Sequence, residues 1–122
     1  MSVDIDVSGA DSVARDLETV DRLLDDFGRV VKRGAHNLKS DYQREARSSG
    51  HYKHFHRAIS YDRVTSLEYE VGPDKNRMQG ALGNILYFGT SKNAPELDLH
   101  GPIARELPRF EQALADAAEE VL

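Results

Sequence analysis

The densest cluster of side chains able to do chemistry is His51, Tyr52, Lys53, His54, Phe55 and His56. Three imidazoles in so short a span could hold a divalent metal, because neutral imidazole is a good ligand for zinc and for its neighbours in the transition series. Their spacing matches no closed zinc site, no carboxylate lies close by in sequence, and Lys53 and Arg57 would repel the cation. The segment therefore reads as a solvated basic loop entering a strand. Gly80, Gly83 and Gly89, with Thr90, Ser91 and Lys92, suggest a phosphate loop. That mechanism needs the glycines to end in Gly-Lys-Ser/Thr at the start of a helix, and this order is absent. Serine, histidine and aspartate all occur, but no nucleophile elbow surrounds a serine and no acid–base pair stands out. No catalytic, cofactor or metal residue is assigned, and the chain is expected not to be an enzyme.

The remaining candidate is electrostatic. The 122-residue chain has 16 Lys and Arg against 21 Asp and Glu, a formal charge of −5, which argues weakly against a general nucleic-acid binder. That sum hides a segregation. Residues 1–28 carry two bases and eight acids, residues 29–57 eight bases and two acids, residues 58–95 four of each, and residues 96–122 two bases and seven acids. Cations on a helix with aromatic neighbours could track phosphates, so a small nucleic-acid-binding protein using segment 29–57 is one reading. The other sets Arg29, Lys32, Arg33, Lys39 and Arg44 against acidic surface on a neighbouring subunit. We prefer the second, because two acidic stretches of comparable strength exist in the same chain to meet the basic one.

These residues need elements to position them. Hydrophobic residues make up 39% of the chain, enough for one modest core, and the length fits a single domain over residues 1–122. With no cysteine, disulfides, thiolate metal sites and thiol catalysis drop out. The longest apolar run, residues 85–88, is far too short for a bilayer span, and Asp4 and Asp6 sit where a signal peptide needs a cationic start. The chain is thus expected to be soluble, away from membranes, and cytoplasmic when made.

Val3, Ile5 and Val7 alternate with Asp4 and Asp6, which suggests a short opening strand. From Asp11 or Ser12 the apolar residues Val13, Leu17, Val20, Leu24, Phe27, Val31, Ala35, Leu38, Tyr42 and Ala46 recur every three or four positions. They form one stripe on a helix of about 36 residues, about 54 Å long. A helix of that length exceeds what this domain can cover alone, so part of the stripe is expected to pack on another copy or another protein. A break between Gly28 and Gly34 into two helices is the alternative. A strand is expected over residues 55–61, a second over 67–71 with Glu68 and Glu70 outward, and a third over 85–88, stopped by Gly89. A final helix opens at Gly101-Pro102 with apolar residues at Ile103, Leu107, Phe110, Leu114, Ala117 and Val121. Pro108 inside it predicts a kink or restart. The expected class is α+β: long N-terminal and C-terminal helices packed on an antiparallel sheet of three to four strands.

The run Asn84-Ile85-Leu86-Tyr87-Phe88-Gly89-Thr90-Ser91-Lys92, followed by a Pro-containing loop and an acidic last helix, resembles the head-tail joining family of long-tailed bacteriophages. These are small neck or tail-completion proteins. The order of a long helix, "HRAIS", "LEYEVGP", "YFGTSK" and a C-terminal helix is similar to theirs from about Asp11 onward. Where relatives carry Pro-Thr-Gly-Leu and Pro-Phe-Leu segments, this chain has Ser48-Ser49-Gly50-His51 and Leu97-Asp98-Leu99-His100-Gly101-Pro102.

The resemblance implies a structural virion protein that forms a ring, expected to be a hexamer, joining the head and portal complex to the tail of a siphovirus-like particle. Its implied partners are further copies of itself, other neck proteins (stopper, tail terminator, adaptor), and genomic DNA that passes without sequence-specific binding. Tyr87, Phe88, Gly89, Thr90, Ser91 and Lys92 would then be a structural turn. Independently of the family, Gly89 permits a left-handed turn and Thr90 or Ser91 can satisfy free backbone donors. Asp16, Glu18, Asp21 and Asp25, or Asp116, Glu119 and Glu120, are expected at the lumen or rim, where negative charge keeps passing DNA from adhering.

Overall fold

A computed structural model describes residues 8–48, 53–77 and 79–122. It is mainly helical, with a long N-terminal helix, a C-terminal helix and a two-stranded antiparallel sheet. The expected opening strand over residues 3–7 lies outside the described residues. Helix α1 spans Ser8–Arg47 as one element. The glycines that suggested a break serve close packing instead. A Cβ on Gly28 would sit 3.0 Å from the Ser66 carbonyl oxygen, and one on Gly34 would sit 3.1 Å from the Phe110 ring. Each glycine costs about 1 kcal/mol of helix propensity relative to alanine, and each lets another element lie against α1.

Two expected strands need correction. The residues from Phe55 to Ala58 form a 3-10 turn, and β1 runs over Ile59–Thr65. It pairs with β2, Glu68–Pro73, in register Ile59↔Pro73 to Arg63↔Tyr69, with an irregularity between Arg63 and Thr65 that leaves Val64 out of the pairing. Along β2 the expected alternation appears: Glu68 and Glu70 are exposed while Tyr69 and Val71 are half-buried.

The third expected strand is a helix. Residues Gly83–Phe88 form α2, entered through a 3-10 turn at Gly80–Leu82. The burial pattern shows why. Gly83, Leu86 and Tyr87 are buried, at i, i+3 and i+4, the helical spacing, whereas Ile85 and Phe88 are 46% and 66% exposed. Four consecutive apolar residues carry no period of their own, so the run fitted either element. Among the described residues the sheet therefore has two strands, and the expected three to four are not found.

Helix α3 spans His100–Val121 and continues through Pro108 without a restart. Pro108 lies on its exposed side, where the carbonyl it leaves unpaired can reach water. Asp98 caps the start, its Oδ1 accepting the N–H groups of His100 at 3.1 Å and Gly101 at 3.0 Å.

The core gathers around the second half of α1. Tyr42, Ala46, Phe55, Ile59, Leu86, Tyr87 and Leu97 form one buried cluster. The Tyr87 ring meets those of Tyr42 edge-on at 5.8 Å and Phe55 at 6.1 Å, the geometry that aligns ring edges with π faces. Polar contacts orient the other elements. Tyr42 donates its hydroxyl proton to the Leu99 carbonyl at 2.6 Å, and Gln43 Nε2 donates to the Ile59 carbonyl at 3.1 Å. Asp41 pairs with Arg105 at 2.9 Å.

Candidate functional site

Of the histidine cluster, the structure describes His54 and His56. Phe55 is fully buried in the core, so the chain on either side of it is held by packing. The His54 N–H donates to Gln79 Oε1, and His56 Nδ1 is buried without a hydrogen-bond partner. Among the described residues no group of three His, Asp or Glu side chains could hold a metal ion; His51 lies outside them.

Of the glycine-rich run, Gly80 and Gly83 open the 3-10 turn and α2, and only the part from Gly89 to Asn93 is a turn that closes on itself. Gly89 has φ +75° and ψ −167°, a conformation open almost only to glycine. Thr90 Oγ1 accepts the N–H groups of Lys92 at 3.2 Å and Asn93 at 3.1 Å. The Leu86 carbonyl accepts from Glu96 and Leu97, which draws Leu97 into the core. Tyr87 is buried, Phe88 is exposed, and Ser91 and Lys92 lie on the exposed turn.

Burial, followed by the nearby Glu45 carboxylate and by Tyr42, raises the Tyr87 phenol well above its ordinary value of 10. Burial likewise raises Tyr42, helped by Asp98, Glu45 and Asp41. In the unfolded chain both phenols lose their protons near pH 10, while in the folded chain Tyr87 keeps its own and Tyr42 is shifted in the same direction. Stability is therefore unaffected below about pH 10 and falls above it, by about 1.4 kcal/mol per pH unit for each retained proton. Urea midpoints measured between pH 8 and 11 should hold to about pH 10 and then fall, more steeply for the native chain than for Tyr87→Phe. Parallel slopes would show that Tyr87 does not contribute.

The charged residues are sorted by how the helices run. Gly34 faces Phe110, Asn37 Nδ2 donates to Glu106 at 3.1 Å, and Asp41 pairs with Arg105, so α3 lies antiparallel to α1. Its acidic end, with Asp116, Glu119 and Glu120 exposed, points toward the acidic half of α1, where Asp16, Glu18, Asp21 and Asp25 are also exposed. The two acidic stretches thus share one end of the molecule. The basic half of α1 lies in the body.

There the cations differ in their surroundings. Arg29 pairs with Asp26, Arg44 pairs with Asp41 at 3.6 Å, and Lys39 Nζ sits 5.3 Å from the centroid of the Tyr61 ring. Lys32 and Arg33 are exposed and make no ion pair among the described residues. On the solvent face of the hairpin Asp62 lies opposite Glu70, a like-charge juxtaposition that mildly opposes pairing.

The stripe of α1 is itself an apolar feature. Over Ala35, Tyr42 and Ala46 it is buried, but Val13, Leu17, Val20 and Leu24 on the same line are 57%, 61%, 48% and 43% exposed. The antiparallel pairing accounts for this. Val121 lies eleven residues beyond Phe110, so at equal rise α3 ends beside residue 23 or so of α1. The first ~15 residues of α1, about 22 Å, project past it.

About eight residues past the end of the projection, about 12 Å along α1, the stripe runs into an open groove of about 200 Å³. Val31, Ala35 and Leu38 form the floor, Tyr69 and Val71 of β2 one wall, and Ile103, Leu107 and Phe110 of α3 the other. Sequence reasoning found the uncovered stripe through its period but not the groove, which needs three elements distant in sequence. No helix among the described residues is long and apolar enough to cross a membrane. Comparison of the chain with the models of known families, with curated proteins and with solved structures found no match in any of the three.

Proposed function

We propose that the protein is a non-enzymatic structural subunit that self-associates into a ring in the neck of a long-tailed phage particle, joining head to tail and letting DNA pass. The observation that carries the self-association is the row Val13, Leu17, Val20 and Leu24, exposed on one face of a helix that outruns its own domain. A lone soluble chain gains nothing from such a row, whereas covering it removes apolar surface from water at about 25 cal/mol per Å². The resemblance of the YFGTSK run and of the order of elements supplies the setting: a virion neck, with stopper, terminator or adaptor proteins as neighbours. In that setting a shared acidic end holding Asp16, Glu18, Asp21, Asp25, Asp116, Glu119 and Glu120 suits a rim or channel lining that repels DNA.

The alternative, nucleic-acid binding through segment 29–57, is less well supported. Arg29 and Arg44 already have carboxylate partners and Lys39 lies against Tyr61, so fewer cations are free for phosphates.

Light scattering with negative-stain imaging tests the proposal. The native chain should form closed assemblies of several subunits. The triple reversal of Arg29, Lys32 and Arg33 to Glu should weaken assembly at low ionic strength, with the difference shrinking once salt screens beyond about 10 Å. A strictly monomeric chain that binds duplex DNA with a steep salt dependence would overturn the proposal in favour of the alternative.

A further inference from the structure

We infer that the groove between α1, β2 and α3 receives the projecting first half of α1 from a second copy of the chain. This names the contact that would build the assembly proposed above and rests on that reading.

The two surfaces match in pattern. Val13, Leu17, Val20, Leu24, Phe27, Val31 and Leu38 follow one line with spacings of 4, 3, 4, 3, 4 and 7, the repeat that keeps an apolar seam facing a partner helix. The donor part of this line, Val13 to Leu24, is exposed. The acceptor part, Val31 to Leu38, is the groove floor. A helix laid along the floor would also cover Ile103 and Leu107, which are 44% and 48% exposed on the wall.

Among the described residues no cation lines the groove itself, but the charges of the two halves of α1 are opposite. Over residues 8–28, α1 has six acids and two bases, and over residues 29–47 it has six bases and two acids. By count a donor segment is thus negative and the half of α1 that would receive it positive; with Arg29 and Arg44 already paired and Lys39 against Tyr61, the exposed Lys32 and Arg33 remain to meet it. The one acid lining the groove, Glu106, does not spoil this, because Asn37 and Arg109 both donate to its carboxylate. A second donor half placed against a first would instead set acids against acids, and that repulsion disfavours the wrong pairing. Donor and acceptor are different patches of one subunit, so the contact is heterologous, the kind that closes as a ring when its rotation allows.

Because the chain lacks cysteine, introduced thiols report the contact directly. One preparation carries Leu17→Cys and a second carries Leu107→Cys, both at exposed positions. They are mixed and oxidised, and the disulfide-linked product containing one chain of each is quantified. Arg22→Cys, on the other side of α1, replaces the donor thiol as control. The Leu17→Cys mixture should give many times more mixed product than the Arg22→Cys mixture. Equal yields from a chain that still assembles by light scattering would overturn the groove contact while leaving self-association standing. A chain that neither assembles nor crosslinks at any concentration would overturn both.

Discussion

Replacing Phe55 with alanine is expected to lower the unfolding free energy by about 3–5 kcal/mol, the range for removing a fully buried aromatic ring. Phe55 is 0% exposed and joins the elements of the core. Its ring meets Tyr87 of α2, and it belongs to the cluster that also contains Tyr42 and Ala46 of α1, Ile59 of β1 and Leu97 of the loop before α3. The cost has two parts, the lost transfer of the ring from water and the cavity left where neighbours cannot fully collapse. Since a domain of this size has about 5–15 kcal/mol in total, the variant should be partly unfolded at moderate urea. Urea denaturation followed by far-UV circular dichroism measures the change. A shift below about 1 kcal/mol would mean that Phe55 is not the centre of the core.

Gly89→Ala is expected to be a strongly damaging change despite adding only a methyl group. With φ +75° and ψ −167°, the backbone occupies a region that costs other residues about 1–3 kcal/mol. The new methyl would also lie 2.6 Å from the Asn93 carbonyl oxygen and 2.9 Å from the Pro95 nitrogen, so the turn must move. That turn delivers the Glu96 and Leu97 N–H groups to the Leu86 carbonyl and seats Leu97 in the core. The damage should therefore reach beyond the turn. Amide exchange at Leu97 should accelerate by a larger factor than at Val31, on α1 away from the turn. Uniform acceleration would mean that the loss is global, and unchanged exchange would mean that the turn relaxes freely.

Phe55 and Gly89 also show how legible the molecule was in its sequence. Gly89 announced a turn, because only glycine tolerates such a backbone, and the turn is there whether a strand or a helix precedes it. Phe55 sits among histidines and a lysine, where a basic loop is expected to enter a strand over residues 55–61. Its burial follows from a 3-10 turn that aims it at α2, and nothing local specifies that aim. The run at 85–88 is a helix and not the expected strand for a related reason: with apolar residues at every position, the choice between periods 2 and 3.6 falls to what packs on it. Tyr42, Phe55 and Leu97 decided it by covering Leu86 and Tyr87.

The candidate surface divides in the same way. By itself the sequence determined the two long helices, the outward carboxylates of β2 and the charge halves of α1, because a periodic pattern decides which side of an element is apolar and which is charged. It also implied that α1 was too long for its domain. Only the tertiary structure decided where along α1 the cover stops, that both acidic stretches share one end, and that the stripe continues into a groove walled by β2 and α3. Those depend on α3 lying antiparallel to α1 and on Gly34 admitting Phe110, contacts between residues far apart in the chain that no local period encodes.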